Sequence, residues 1–492
     1  MKFLNRKTMD LARRLQQNQN GCTLWHVNSG SARRHRSVGA HTVAVLLGAL
    51  LFSWPAFYNG FPLLYSDSIT YLGEGRAIAS ALFLHRLSSD YGLRSKFYSL
   101  GILPFHWTLT PWPIVGLQCL LLSWVLWLVV RSFAPRHIAT SYLALVLLLS
   151  LLTSASWYAV FIMPDILGPV LYLAVYLLVF ARETLLRSER VALYLIAWWG
   201  ITAHPSHFPI AAGLCVFLAL LAVLTRKSSL CRLRAVSEVS LIVVVAAALQ
   251  MALYGYLYGK PTLNGRHPPF LMARIISDGP GRWYLEQHCA QLHWVVCDHL
   301  DRRSSAPSNF LWGPGYTYEA APDSEKIELE AEEMPLVLAT LRAYPLQQLS
   351  RSAEDFREQL LAFDLYGFNA SPWILNHIDA AMPSAREPWL RSREAQETLA
   401  FVPFAHLLRR VVVASLVLIV LSIPLVWLRR SKRLAGLSLV VAFAVVANAF
   451  ITGALSEVGD RYQCRVIWLI PLLAGICILH WLGGGHRNKE AV

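Results

Sequence analysis

Apolar runs about 20 residues long recur along this chain, each with few or no charges inside it. A run of that length crosses the hydrocarbon of a bilayer as a helix, because every backbone amide is then satisfied within the segment. This one feature leaves little choice of class: an all-α polytopic membrane protein. Composition agrees. The chain is 55% hydrophobic and 15% charged over 492 residues, whereas soluble domains carry roughly 25% charged residues.

The runs predict ten spans, at about 39–58, 113–131, 137–154, 165–181, 190–204, 207–225, 235–258, 404–428, 433–453 and 464–482. Every second connection is basic: Arg33, Arg34 and Arg36; Arg131 and Arg136; Arg182, Arg187 and Arg190; Arg226, Lys227, Arg232 and Arg234; Arg429, Arg430, Lys432 and Arg433; Arg487 and Lys489. Basic loops stay on the cytoplasmic side, so both termini are expected inside. The net charge of +14 is thereby explained by topology, and nucleic acid is not an expected partner; membrane lipids are. Residues 1–38 are polar and basic with no apolar core, and are expected to form a loosely ordered cytoplasmic tail, as is 483–492. Arg409 and Arg410 run against the rule near the outer end of the eighth span, where they snorkel or face the protein interior.

The opposite, external face then receives loop 59–112, the links 155–165, 204–207 and 454–463, and an insert at 259–403. The domain reading is a transmembrane module at 39–258 with a functional first loop, the insert, and C-terminal spans at 404–482. In the first loop, residues 68–87 have helical apolar spacing and suggest an interfacial helix, with Pro104, Pro111 and Pro113 leading on to the second span. The insert is expected to hold a charged helix near 323–343, a break at Pro345 and a second helix from Leu346 to Phe363, with enough chain for a small core of its own.

Polar groups gather on that external face. Asp67 lies in FPLLYSDSITYLGEG, directly after the first span, with Tyr71 and Glu74 nearby. Two readings stand: Asp67 or Ser68 caps the following helix, or Asp67 is a general base or metal-binding carboxylate, since a carboxylate beside hydrocarbon is costly unless it is used. Asp165, in MPDILGP, carries the same choice between cap and second acid. His204 and His207, in AHPSHFP, suit interfacial hydrogen bonding, contact with a phosphate, or a ligand pair. In SEVGDRYQCRVIWLIP, Arg461 and Arg465 are one helical turn apart beside Tyr462. They either pair with Glu457 or Asp460 or form a guanidinium clamp on a phosphate. Arg266, His267, Arg274 and Asp278 in the insert are further candidates, the last two spaced to pair along a helix.

Of eight cysteines, Cys289 and Cys297 fall in the insert, where an oxidising compartment allows a disulfide; Cys464 is a third candidate. A metal site from Cys289, Cys297, His288, His293 and His299 is the alternative, with no standard zinc spacing.

Three segments, YSDSITYL around Asp67, MPDILGPVLYL around Asp165 and DRYQCRVIWLIPLL around Arg461, combined with a long external insert before the last spans, resemble the GT-C superfamily. These are polytopic glycosyltransferases that use polyprenyl-phosphate sugars. The resemblance implies a lipid-linked sugar donor, an acceptor at the outer face of the cytoplasmic membrane, Asp67 as catalytic base or metal-binding acid, and Arg461 on the donor phosphate. Asp165 would orient the acceptor or assist Asp67, and Arg465 or His204 would assist Arg461. Many members pair two acids in the first loop, whereas here Asp67 stands with Glu74 seven residues on; a divalent metal is the one cofactor left open. A transporter or flippase of an anionic or lipid-linked substrate, and a non-catalytic subunit of envelope assembly, are the alternatives. A transporter would place charges or broken helices near mid-membrane, and few of the runs carry charges there.

Overall fold

The computed structural model describes residues 27–88, 91–133, 137–225, 230–300, 306–312, 317–429 and 431–483. The tails at 1–26 and 484–492 lie outside them, as do Arg136, Arg226, Lys227, Arg430, Arg487 and Lys489. The protein is a helical bundle: α1 Val27–Phe52, α2 Ser66–Leu84, α3 Lys96–His106, α4 Trp112–Ser132, α5 Ile138–Leu152, α6 Leu167–Phe180, α7 Arg187–Ala203, α8 His207–Leu224 and α9 Leu233–Tyr258. The insert contributes α10 Phe270–Asp278, α11 Pro280–Leu292, α12 Asp323–Ala343, α13 Pro345–Leu361 and α14 Pro372–Ala381. Then follow α15 Val402–Arg429, α16 Lys432–Ala449, α17 Asp460–Ile467 and α18 Leu469–Gly483.

Among the described residues, seven stretches are long and apolar enough to cross a membrane: Gly39–Asn59, Trp112–Ser132, His207–Leu224, Leu233–Tyr258, Val402–Pro424, Lys432–Ala454 and Asp460–Leu482. Ten were expected. The other three are helices of 15, 14 and 17 residues, α5, α6 and α7. The short α6 has a physical reason. Every residue from Leu167 to Phe180 is buried, so its surroundings are protein side chains rather than lipid, and no hydrocarbon thickness dictates its length. Gly436 lets α16 pack against it: a Cβ there would lie 2.3 Å from Cγ of Phe180.

Two other expectations need correction. Residues 27–38 are not a loose tail, because α1 begins at Val27 and runs on into the first span. The first loop holds two helices rather than one. Ser95 caps the second, α3, by accepting from the Tyr98 amide at 3.3 Å, and Pro104 sits inside its last turn, where the ring ends the helix soon afterwards.

The basic loops meet at one end of the bundle. Arg433 pairs with Glu183 at 2.8 Å and also donates to the Ser132 carbonyl, Arg131 pairs with Glu189 at 2.6 Å, and Arg182 binds Glu238. The insert covers the other end. Arg409, which ran against the charge rule, pairs at 2.8 Å with Asp364 of the insert.

The insert divides in its packing. Met272, Ile275, Leu285, Phe310, Leu329 and Leu336 belong to a core of their own, whereas Phe363, Phe368, Ile374 and Trp389 join the core of the bundle. The first part includes a disulfide between Cys289 and Cys297, which removes those cysteines from any metal set; Cys464 is buried and unbridged. Pro345 opens α13 at its first position, where a missing amide costs nothing.

The two parts meet at a buried charge cluster. Arg274 binds Asp278 along α10, as its spacing foretold, and also reaches Asp355 of α13 at 3.2 Å. Burial raises the Asp355 carboxyl to about 7, with Arg274 opposing and Asp278 adding to the rise. Its folded pKa lies above its unfolded value, so the folded protein binds the extra proton between the two. Stability from this group is therefore present at low pH and is lost as pH rises towards and through about 7. Amide exchange in 270–278 and 345–361, corrected for intrinsic rate, is expected to quicken between pH 5 and pH 8, and Asp355→Asn is expected to flatten that dependence.

Candidate functional site

A single parallel bridge brings the two acids together. Among the described residues it is the one strand-like pairing. The Leu63 amide donates to the Val160 carbonyl at 3.3 Å and the Ile162 amide to the Leu63 carbonyl at 3.0 Å. Asp67 and Asp165 each lie four residues beyond this bridge, in Leu63 and Phe161, and the two chains run the same way. Gln118 of α4 supports the crossing by donating to the carbonyls of Ala159 and Phe161 at 3.1 and 2.8 Å. From the other side, Glu394 of the insert, wholly buried, accepts the Leu64 amide on both carboxylate oxygens at 3.2 Å. Burial pushes the Glu394 carboxyl well above the usual range.

Asp67 is not the cap of α2. The Ser68 hydroxyl accepts the Tyr65 amide at 2.8 Å and fills that role, so Asp67 in the first turn is free for other use. Its Oδ1 receives Arg94 at 2.6 Å, and the Arg94 guanidinium lies 5.0 Å from the ring centroid of Trp312 in the insert. Asp67 keeps 17% exposure. Two turns further along the helix, Glu74 pairs with the buried Lys96 at 2.8 Å. Burial raises the Glu74 carboxyl, while Lys96 opposes the rise.

Asp165 occupies a short helical turn at Pro164–Ile166, just before α6, and has no exposed surface. It faces both arginines of α17: Arg461 Nη2 at 3.5 Å and Arg465 Nη1 at 3.4 Å. The alternative partners are engaged elsewhere, Glu457 by the Ser308 hydroxyl at 2.7 Å and Asp460 by the Asp364 amide at 2.9 Å. Arg465, fully buried, also donates to Ser206 and to Asn448, each at 2.8 Å. These contacts saturate most of its fork.

Arg461 is bonded much less. It keeps 12% exposure. Its guanidinium lies 4.3 Å from the Tyr65 ring centroid and 5.5 Å from that of Tyr462, and its buried Nε has no hydrogen-bond partner. Cation–π faces stabilise such a cation but leave its N–H donors unused.

His204 binds Ser206 through Nδ1 at 2.8 Å, and His207 binds the Gly200 carbonyl through Nδ1 at 2.8 Å. The rings lie 5.2 Å apart, and Nε2 of His207 is buried without a partner. Tyr71 is buried edge-on against Tyr98 at 4.8 Å. Burial raises its phenol, the negative charges of Asp67 and Asp165 add to this, and Arg94 and Arg461 oppose it. Tyr65, two residues before Asp67, carries the Arg461 guanidinium on its ring, so Arg461 touches both the Asp67 segment and Asp165. Among the described residues no three His, Cys, Asp or Glu side chains group as metal ligands.

The structure therefore brings together Asp67, Asp165, Tyr71, His204, His207, Arg461, Tyr462 and Arg465, and sets Glu74 with Lys96 along α2. The sequence reading missed Arg94, Ser206, Asn448 and Trp312. For Arg94 a signal was there: it and Lys96 are cations in a loop assigned to the side where basic residues are sparse. Comparison with protein-family models, with curated proteins and with solved structures gives no match.

Beside this site, an open apolar groove of about 310 Å³ lies between α8 and α16, lined by Pro209, Ile210, Gly213, Phe443, Val446 and Phe450. Ser206 and Asn448, which hold Arg465, flank its walls in sequence.

Proposed function

We propose that the protein is a membrane glycosyltransferase that moves a sugar from a polyprenyl-phosphate donor to an acceptor hydroxyl at the outer face of the cytoplasmic membrane. The observation that carries the reading is Arg461: a nearly buried guanidinium with an unbonded Nε, resting on two aromatic rings. A phosphate oxygen is the acceptor such a fork fits best. Three guanidinium groups, Arg94, Arg461 and Arg465, stand against Asp67 and Asp165, with Glu457 on the rim. The α8–α16 groove supports a lipid-borne anion, since it offers an apolar path to the helices that hold Arg465.

In this reading Arg94 fixes the Asp67 carboxylate through Oδ1, leaving Oδ2 to take the proton of the acceptor hydroxyl. The acceptor oxygen attacks the anomeric carbon. The bond from that carbon to the phosphate oxygen breaks, and its electrons pass to the phosphate, whose charge Arg461 stabilises. A single displacement inverts the anomeric centre. Asp165, fully enclosed between two arginines, acts as their counter-ion and aims them, rather than meeting the acceptor. Ten spans with the basic loops inside would set the site on the external face.

The test is transfer from radiolabelled polyprenyl-phosphate sugars in reconstituted membranes. Wild-type protein is expected to transfer label with inversion, and Asp67→Asn at matched expression to lose it. Retention of configuration, or an active Asp67→Asn, would remove Asp67 as the base. Lipid binding with no transfer from any donor would shift the weight to transport.

A further inference from the structure

Helix α13 is turned inside out for a helix in water. The face it buries is polar. Gln348, Ser352, Asp355 and Gln359 recur at helical spacing along one side. Gln348 donates to Asp278 at 2.7 Å, Asp355 meets Arg274 at 3.2 Å, and Gln359 both donates to the Gly459 carbonyl at 3.0 Å and accepts its amide at 2.8 Å. The approach is close. A Cβ on Gly453, in the π-helical turn that ends α16, would lie 2.8 Å from the Asp355 carbonyl.

The neighbouring face is apolar: Leu346, Leu349, Ala353, Phe356 and Leu360 follow one another at steps of three and four. Its far half is covered. Leu360 packs on the core of the bundle, and the Phe356 ring lies 6.2 Å from that of Phe450. Its near half is bare, with Leu346 exposed by 76% and Leu349 by 66%. Phe450 itself stands half-exposed with Val446 on the outer wall of a membrane-crossing stretch. The bare leucines thus prolong the exposed apolar surface of a stretch able to cross a membrane. Arg351 and Glu354 pair with each other on the other side of the helix, which leaves that side for water.

We propose that α13 lies in the membrane interface, with Leu346 and Leu349 inserted among lipid headgroups and upper acyl chains and its polar face bolted to the protein. Such helices bind by the apolar area they bury, with basic residues at the headgroup level; Arg357, exposed beside the stripe, occupies that position. This anchors the insert at the lipid surface next to the α8–α16 groove, and holds whether or not the protein transfers sugar.

The test uses the full chain in phosphatidylethanolamine–phosphatidylglycerol vesicles, with a bimane fluorophore on Leu349→Cys or on Glu354→Cys and the label taken up by the parent chain subtracted. Spin-labelled lipid is expected to quench the Leu349 site several-fold more than the Glu354 site, and aqueous iodide to show the reverse order. Iodide access at Leu349 equal to that at Glu354 would overturn the proposal. So would shielding of Leu349 from both quenchers, which would mean that a protein surface covers it.

Discussion

Asp165→Asn is expected to be the most damaging single substitution in the bundle, costing about 3–5 kcal/mol of stability, as removal of one partner from a buried ion pair does. Neither Asp165 nor Arg465 has exposed surface, and Arg461 has little. Asparagine keeps the shape of the side chain and removes only its charge. Both guanidinium groups would then lose the carboxylate they share, and water cannot reach the fully buried Arg465 to replace it. Single domains are stable by only about 5–15 kcal/mol, so the loss is a large share of the total. Thermal unfolding in detergent should show it as a clear downward shift. Adding Arg465→Met should recover part of the loss, because the stranded cation is then gone. Asp67→Asn, at a partly exposed pair, should cost far less. An Asp165→Asn protein as stable as wild type would mean that the arginines have another counter-ion.

Arg461→Ala is expected to leave the fold in place and to lower transfer by about 10²–10³-fold, the usual cost of deleting one donor aimed at developing charge. The reasoning is that Arg461 holds the structure together less than Arg465 does. Its Nε is unbonded, its contacts are mostly ring faces, and Asp165 would keep Arg465 as partner. Arg461→Lys should recover only part of the rate. An ammonium keeps the charge but loses the planar fork that grips two phosphate oxygens. If the loss falls on the rate constant rather than on the Michaelis constant, Arg461 acts chiefly on the departing phosphate.

Some of this was legible in the sequence and some was not, for identifiable reasons. Long apolar runs announce helices because the bilayer demands internally satisfied backbones, and each expected span has a helix at its place. At α6 the expected span is longer than the helix found, since apolarity does not distinguish a helix wrapped in lipid from one wrapped in protein. The segments bearing Asp67, Asp165 and Arg461 were found because charge beside hydrocarbon is conspicuous. Their arrangement was hidden: Asp165 with Arg465 is a contact across 300 residues of chain, and the Leu63–Phe161 bridge that aligns the acids has no local signature. Asn448 escaped for the same reason, as it draws its meaning from Arg465 on another helix, whereas Arg94 carried a signal as a cation on the external side. The inverted polarity of α13 was also out of reach, because an amphipathic pattern does not say which face the protein takes.

The most direct measurement is the affinity of the purified protein for polyprenyl phosphate, the leaving group of the proposed reaction, titrated in lipid nanodiscs for wild type, Arg461→Ala and Arg391→Ala. Arg391 is exposed and far from any role in the site. Binding weakened at least about tenfold by Arg461→Ala, which is roughly 1.4 kcal/mol, and unchanged by Arg391→Ala is the expected result. Equal affinity in all three proteins would contradict the assignment of Arg461 to a lipid phosphate, and the proposed donor site would fall with it.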